Sequence, residues 1–162
     1  MSRNYNSPTI EEDIGLFLAD LTGALEYSCL YMEDEIRTLT QLKMEENVYN
    51  YKPTFDFRRK DFDDPDSLFN SFTTTDKNVY ANGEGFELNI ELTAPWQQLR
   101  SGEIPNIPLA DAVESGYAMY GAGARPFTDE VDADLQGGIG DNMLTTALNF
   151  SGLVDATRRR GK

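Results

Sequence analysis

The sequence predicts an α+β protein in which a long N-terminal helix packs on a small antiparallel β-sheet, with short C-terminal helices after the sheet. Two observations predict this class. Apolar residues recur at helical spacing from about Ile10 to about Glu45, and apolar and polar residues alternate strictly from Phe86 to Thr93. The first pattern is typical of an amphipathic helix and the second of a half-buried strand.

The composition indicates one globular domain. The chain has 162 residues, of which 40% are hydrophobic and 26% are charged, a mix that can bury a core of its own. We expect a flexible N-terminal arm over 1–9, a single α+β domain over 10–150 and a flexible basic tail over 151–162. No internal repeat is present.

The long helix has a clear start signal. Thr9 can serve as the N-cap, and acidic residues follow it in the first turn, where they favour the positive end of the helix dipole. Gly15 and Gly23 weaken the helix, and a bend or break near Gly23 stays open. Cys29 lies in an apolar stretch of this helix, so we expect it to be a small buried side chain.

The middle of the chain predicts extended structure. Aromatic and polar residues alternate over 48–57 around Pro53, which indicates an edge strand. The threonine-rich segment 68–75 predicts a strand, and 79–81 predicts a further short one before the Asn-Gly turn at 82–85.

The strand over 86–93 should place Phe86, Leu88, Ile90 and Leu92 against the long helix, with its acidic residues facing outward. Three helices should follow. Their predicted ranges are 109–115, ended by Gly116; 128–135, ended by Gly137-Gly138; and 141–150, capped by Asp141, with Met143, Leu144, Ala147, Leu148 and also Phe150 as inward candidates.

Several kinds of chemistry are disfavoured by composition. The chain has no histidine and a single cysteine, so His-based catalysis and Cys- or His-ligated zinc are excluded. The acidic segment Asp61–Asp66 lacks the glycine and distal glutamate of a calcium loop and is interpreted as a solvated turn with Asp66 capping a helical turn. The glycine-rich stretch at 121–125 lacks the Lys-Ser/Thr of a phosphate-binding loop. We therefore expect no enzyme activity, no cofactor and no metal.

The charge distribution suggests where contacts form. A net charge of −14 disfavours nonspecific binding to nucleic acid. Bases are scarce, so Arg58, Arg59 and Arg125 are interpreted either as surface partners of the excess acids or as intersubunit partners. The tail bases Arg158, Arg159 and Arg160 suit either a solvated terminus or a contact with an acidic partner or nucleic acid. The first nine residues lack the apolar core of a signal peptide, and no run is long enough for a membrane helix, so we expect synthesis in the cytoplasm.

Three sequence elements in a fixed order resemble the tail-completion or head–tail joining (neck) proteins of long-tailed bacteriophages. The first is Tyr51–Arg59 leading into Leu68–Phe72, a Tyr-x-Pro lead and an aromatic-Arg pair before a strand. The second is Ala110–Gly116, which resembles a Val-Glu-x-Gly element, and the third is the Arg-Pro-Phe segment at 124–127. The chain departs from the family at Lys60 and the acidic insert after it, and in the long proline-rich loop 94–108.

The resemblance implies a structural virion protein that forms a sixfold or twelvefold homo-oligomeric ring in the neck. The implied partners are portal- or adaptor-side proteins and tail-tube or tail-terminator proteins, with DNA passing nearby but no specific nucleic-acid binding and no membrane. Either a portal-side or a tail-side position fits. The candidate interface residues are Arg58, Arg59, Asp61, Asp63, Asp64, Arg125, Pro126, Phe127, Arg158, Arg159 and Arg160.

Two other functions stay open on the sequence. The acidic balance also suits a DNA mimic or inhibitor that occupies a basic groove on a partner. A small metal-binding or hydrolytic domain is the weaker alternative, because the chain has no histidine.

Overall fold

The computed structural model describes residues 9–50, 63–80, 84–95, 106–116 and 124–153 and confirms the predicted α+β class. A long N-terminal helix is followed by a two-stranded antiparallel sheet and then by short helices. The elements are α1 (Ile10–Met44), β1 (Phe72–Tyr80), β2 (Gly85–Leu92), α2 (Leu109–Ser115), α3 (Thr128–Asp134) and α4 (Gly140–Phe150). The predictions for 1–8, 51–62 and the tail from residue 154 lie outside the described residues.

Helix α1 begins where the sequence predicts and is continuous over 35 residues. The Thr9 hydroxyl accepts a hydrogen bond from the Glu12 amide at 3.2 Å, and the Glu12 carboxylate accepts one from the Thr9 amide at 2.7 Å. This reciprocal capping box satisfies amides that the first turn leaves without helical partners. The helix passes through Gly23 without a break, and Cys29 is fully buried, as predicted.

A π-helical turn, Glu45–Tyr49, extends α1, so the predicted strand is wrong at Val48 and Tyr49. Tyr49 is buried, and its hydroxyl accepts a hydrogen bond from the Phe69 amide at 3.3 Å. Packing of the Tyr49 ring in the core outweighs its preference for extended structure.

The sheet is a hairpin in which Phe72 pairs with Leu92 and Tyr80 pairs with Gly85. The alternating strand predicted over 86–93 is confirmed by β2. The strand predicted over 68–75 starts too early, because residues 68–70 form a 3-10 turn, and 79–80 belongs to β1 rather than to a separate strand. The register shifts between Thr74 and Asp76, which is typical of a β-bulge.

The C-terminal helices follow the predicted order. Helix α2 ends at Gly116, whose φ of 72° is favourable for glycine. A π-helical turn at 135–139 joins α3 to α4, and Gly138 within it has a φ of 109°. Asp141 is not a cap, because α4 continues directly from that turn and Asp141 lies inside its first turn. Phe150 is 69% exposed, so its inward assignment is also wrong.

The core lies where the end of α1 meets α2, the start of α3 and the 3-10 turn before β1. Its buried members include Met44, Tyr49, Leu68, Val113 and Phe127. Helix α3 then runs back along α1: the Asn47 amide donates to the Pro126 carbonyl at 3.1 Å, and one turn earlier on α1 the Lys43 ammonium lies 2.9 Å from the Asp134 carboxylate. Helix α4 also packs on α1.

Candidate assembly surface

The first third of α1, Ile10–Thr22, carries an apolar stripe, defined here as Ile10, Ile14, Phe17, Leu18 and Leu21, of which the first four are exposed and Leu21 is half-buried. The spacing of three and four residues puts these side chains on one face of the helix. Ile10 is 78% exposed and Phe17 is 41% exposed, whereas Ala24 and Leu25, which continue the same face, are buried. One helix face therefore passes from covered to exposed within a single turn.

The segment Ile10–Thr22 is also acidic. It contains Glu11, Glu12, Asp13 and Asp20 and no basic residue. Helical geometry puts Glu11 on one side of the stripe and Asp13 and Asp20 on the other. A partner for this surface needs apolar groups at its centre and positive charge at its edges.

Charge is unevenly divided between the parts of the chain. The described residues contain 24 acidic and four basic side chains, a formal balance of −20, and the remaining segments contain four acidic and ten basic ones, a balance of +6. The described part is thus more acidic than the whole chain, and the segments 51–62 and 154–162 supply most of the bases.

Three of the four bases in the described part form ion pairs within the chain. Glu33 is the centre of one network: it lies 3.0 Å from Arg37 and 2.9 Å from Lys77, and it accepts a hydrogen bond from the Thr74 hydroxyl at 2.5 Å. The hydrogen bonds from Thr74 and Lys77, with the Arg37 charge, hold the pKa of Glu33 below its ordinary value. The network joins α1 to β1, and nothing in the sequence distinguishes Glu33 among the 28 acids.

Lys43 forms the second ion pair, with Asp134 at 2.9 Å and Glu130 at 3.6 Å. The hydrogen bond to Asp134 raises the pKa of Lys43. The pair joins α1 to α3.

Arg125 is only 8% exposed, although the sequence suggested a surface or intersubunit partner. Its guanidinium donates to the Val48 carbonyl at 3.3 Å, and its amide contacts the carbonyls of Val113 and Glu114. Through its guanidinium on one side and its main-chain amide on the other, Arg125 joins the end of α1 to α2. Its proposed role in an interface stays a prediction, but its contacts in the described residues are with its own chain.

Pro126 is exposed and Phe127 is fully buried. The Glu114 carboxylate accepts hydrogen bonds from the Phe127 amide at 3.3 Å, the Thr128 amide at 2.6 Å and the Thr128 hydroxyl. A carboxylate at this position satisfies the free amides at the start of α3. Sequence reasoning missed this role of Glu114, which requires the fold to bring residues 114 and 127 together.

The acidic turn is described from Asp63 onward. Asp63 is exposed, and the Asp64 carboxylate accepts a hydrogen bond from the Asp66 amide at 2.9 Å. A turn of this form confirms the solvated-turn interpretation for 63–66, but the residue that precedes the 3-10 turn is Ser67 rather than Asp66. The other candidate interface residues lie outside the described residues: Arg58, Arg59, Asp61, Arg158, Arg159 and Arg160.

A cavity of about 290 Å³ lies between α1, α3 and the apolar face of the sheet. Ile36 and Thr40 line it on α1, and Leu88, Ile90 and Leu92 line it on β2, which places this strand face against the long helix as predicted. Among the described side chains that line it, only Asp132 is ionisable. A single carboxylate among apolar groups does not make an acid–base pair.

Within the described ranges, no group of three or more Cys, Asp or Glu side chains is arranged to hold a metal ion. None of the helices seen in those ranges combines the length and apolar character that crossing a bilayer requires.

Comparisons with protein-family models, with curated proteins and with solved structures returned no significant match. The function is therefore inferred from the chain's own residues and from the resemblance given by its motifs.

Proposed function

We propose that the chain is a structural virion protein of a tailed bacteriophage, which closes into a sixfold or twelvefold ring in the neck and joins or completes head and tail. The observation that supports this most is the meeting of the three family-like elements in one place. Leu68 from the first element, Val113 from the second and Phe127 from the third belong to the same buried cluster.

The second and third elements also bond to each other directly. The Arg125 amide donates to the carbonyls of Val113 and Glu114, and the Glu114 carboxylate accepts from the Phe127 amide. Sequence similarity spread along a chain is more meaningful when its residues form one structural unit. We interpret these residues as the scaffold that fixes α2 and α3 in each subunit.

The apolar stripe on α1 supports an assembly role. An apolar surface flanked by charged residues is typical of a protein–protein contact, since water contact with it is unfavourable. Cyclic rings are built from heterologous contacts, in which one patch meets a different patch on the next subunit. In this proposal the bases at Arg58 and Arg59 of one subunit face acids of α1 or of the acidic turn on its neighbour.

The acidic character also suits a position around passing DNA. A formal balance of −20 in the described residues would repel phosphates from a channel wall and prevent the DNA from sticking. The proposed partners are portal- or adaptor-side proteins on one face of the ring and tail-tube or tail-terminator proteins on the other.

A phage in which an early stop codon replaces this reading frame tests the proposal. We expect filled heads and separate tails to accumulate, because the joint between them is missing, and a plasmid copy of the wild-type chain should restore whole particles. Intact infectious virions without the protein would contradict it.

The same negative balance favours one second candidate, a DNA mimic that occupies a basic groove on a partner protein. Such a protein should remain a small monomer or dimer at all concentrations and should compete with DNA for its target. Light scattering combined with size-exclusion chromatography separates the two functions, because only the ring protein gains mass as its concentration rises.

A further inference from the structure

Two apolar surfaces are left exposed at separate places on the same subunit. The first is the stripe on α1. The second is the C-terminal end of α4, where Phe150 is 69% exposed and Leu153 is partly exposed three residues later. Within the described residues the two surfaces do not cover each other, since side chains of both remain exposed.

The two surfaces differ in charge. The stripe is flanked by Glu11, Asp13 and Asp20, and no base lies in Ile10–Thr22. The sequence that follows Leu153 contains three arginines and a lysine against one aspartate, from residue 154 to residue 162. One surface is apolar and acidic, and the other is apolar and followed by positive charge.

The nine residues of 154–162 cannot cover the stripe alone, because Val154 and Ala156 are their only apolar side chains. Phe150 and Leu153 add the apolar area that the stripe lacks. Phe150 faces solvent at the end of α4, so its ring is available to a stripe on another subunit.

We propose that the stripe on α1 of one copy binds the C-terminal end of a second copy, with Phe150 and Leu153 on the apolar side chains and Arg158–Arg160 on the flanking acids. This inference rests on the proposed function, since it names one head-to-tail contact of the ring. The contact is heterologous, and its repetition closes a ring or extends a filament.

The size of the contact sets its strength. Thirteen helical residues span about 20 Å, so the buried area is well below the roughly 800 Å² per partner of a typical stable interface. Assembly through this contact should therefore depend strongly on protein concentration and, because charges flank it, on salt.

Cysteine cross-linking on the full chain tests the pairing. Cys29 is fully buried and does not compete. One preparation contains Asp13→Cys and another Arg159→Cys, and the two are mixed and oxidised. Because each chain has one accessible thiol, a disulfide between the two different variants joins two chains. We expect this product to form, and to be lost when Asp34→Cys replaces Asp13→Cys. Asp34 is also an exposed aspartate of α1, but it lies about 30 Å from Asp13 along the helix and beyond the stripe, which makes it the matched control.

A charge swap tests the same contact without new cysteines. A triple variant carries Arg158→Glu, Arg159→Glu and Arg160→Glu. Its self-association Kd should be about tenfold higher, since exposed ion pairs contribute up to about 1 kcal/mol each. Combining them with Glu11→Arg and Asp13→Arg should restore the Kd, whereas combining them with Asp34→Arg should not. Circular dichroism checks that α1 remains helical in each variant.

Failure of this contact is distinguishable from failure of the proposed function. Equal cross-linking of Asp13→Cys and Asp34→Cys variants, or the absence of any two-chain product, would overturn the contact. An Asp13→Cys/Arg159→Cys double variant that closes only within one chain would overturn it as well, because the tail would then bind its own helix. Rings on electron micrographs in any of these cases would leave the neck function standing with a different seam.

Discussion

Phe127 and Phe150 make a matched pair for testing where the core ends. Phe127 is fully buried in the cluster that joins α1, α2 and α3, and Phe150 is 69% exposed at the end of α4. Phe127→Ala should cost about 3–5 kcal/mol, the usual loss for a buried phenylalanine. Phe150→Ala should change the free energy of unfolding by less than about 0.5 kcal/mol, as exposed substitutions do.

The assay is urea unfolding of both variants, followed by circular dichroism at a concentration where the protein is monomeric. With a slope of about 2 kcal/mol per molar urea, the Phe127→Ala midpoint should fall by about 2 M, and the Phe150→Ala midpoint should stay within about 0.3 M. Loss of the Phe127 ring is a large part of a total stability of about 5–15 kcal/mol. Equal midpoints for the two variants would refute the assignment of the core. A Phe127→Ala variant that kept its stability but lost self-association would make Phe127 an interface residue instead.

Three further predictions concern the sheet and the proposed seam. Glu33→Gln should lower the melting temperature at pH 7, because the charged Glu33 carboxylate is stabilised in the folded protein and its pKa is lowered there. The difference in melting temperature between wild type and variant should persist as the pH falls to 4.5, the ordinary pKa of the carboxyl group, and should close at lower pH. A difference that did not change with pH would contradict this. Leu88→Ala, beside the cavity, should destabilise the fold by about 2 kcal/mol, whereas Glu87→Ala should cost under about 0.5 kcal/mol; similar losses would mean that the strand face is wrongly assigned. Reversing the charge at Arg58 and Arg59 together should leave the circular dichroism spectrum intact but yield unjoined heads and tails or heads that leak DNA, and normal infectious particles would exclude these residues from the seam.

Much of the fold could be predicted from local sequence. Four predicted features depend only on neighbours within a few residues, and each is confirmed. They are the Thr9 cap, the span of α1, the alternation in β2 and the glycine at the end of α2. Helix periodicity and capping are local properties, so a single sequence is enough to identify them.

The errors lie where tertiary contacts decide. Leu68 is buried in the core, and the 3-10 turn that it begins delays the start of β1 to Phe72, opposite Leu92. Tyr49 is drawn into a helical turn by its contacts with Phe69, whose ring lies edge-on at 5.7 Å. The pairing partner of a strand and the packing partner of a ring are both distant in sequence, so propensity alone could not place these residues.

The candidate assembly surface could be predicted only in part from the sequence. The apolar spacing from Ile10 onward predicted one helix face, but it could not show that this face continues beyond the covered part of α1. Arg125 was proposed for an interface because bases are scarce, and Phe127 because of the Arg-Pro-Phe resemblance; both are buried in their own subunit. Scarcity of a residue type indicates that it has a specific partner, not whether that partner is in the same chain.

The proposal that this chain forms a ring in a virion neck is tested most directly by cryo-electron microscopy of the neck of tailed particles produced from the genome that carries its gene. We expect a sixfold or twelvefold ring into which the long helix, the two-stranded sheet and the helices α2 to α4 can be fitted, with the stripe on α1 in contact with an adjacent subunit. A neck in which every density is assigned to other proteins, with no ring that fits this fold, would contradict it.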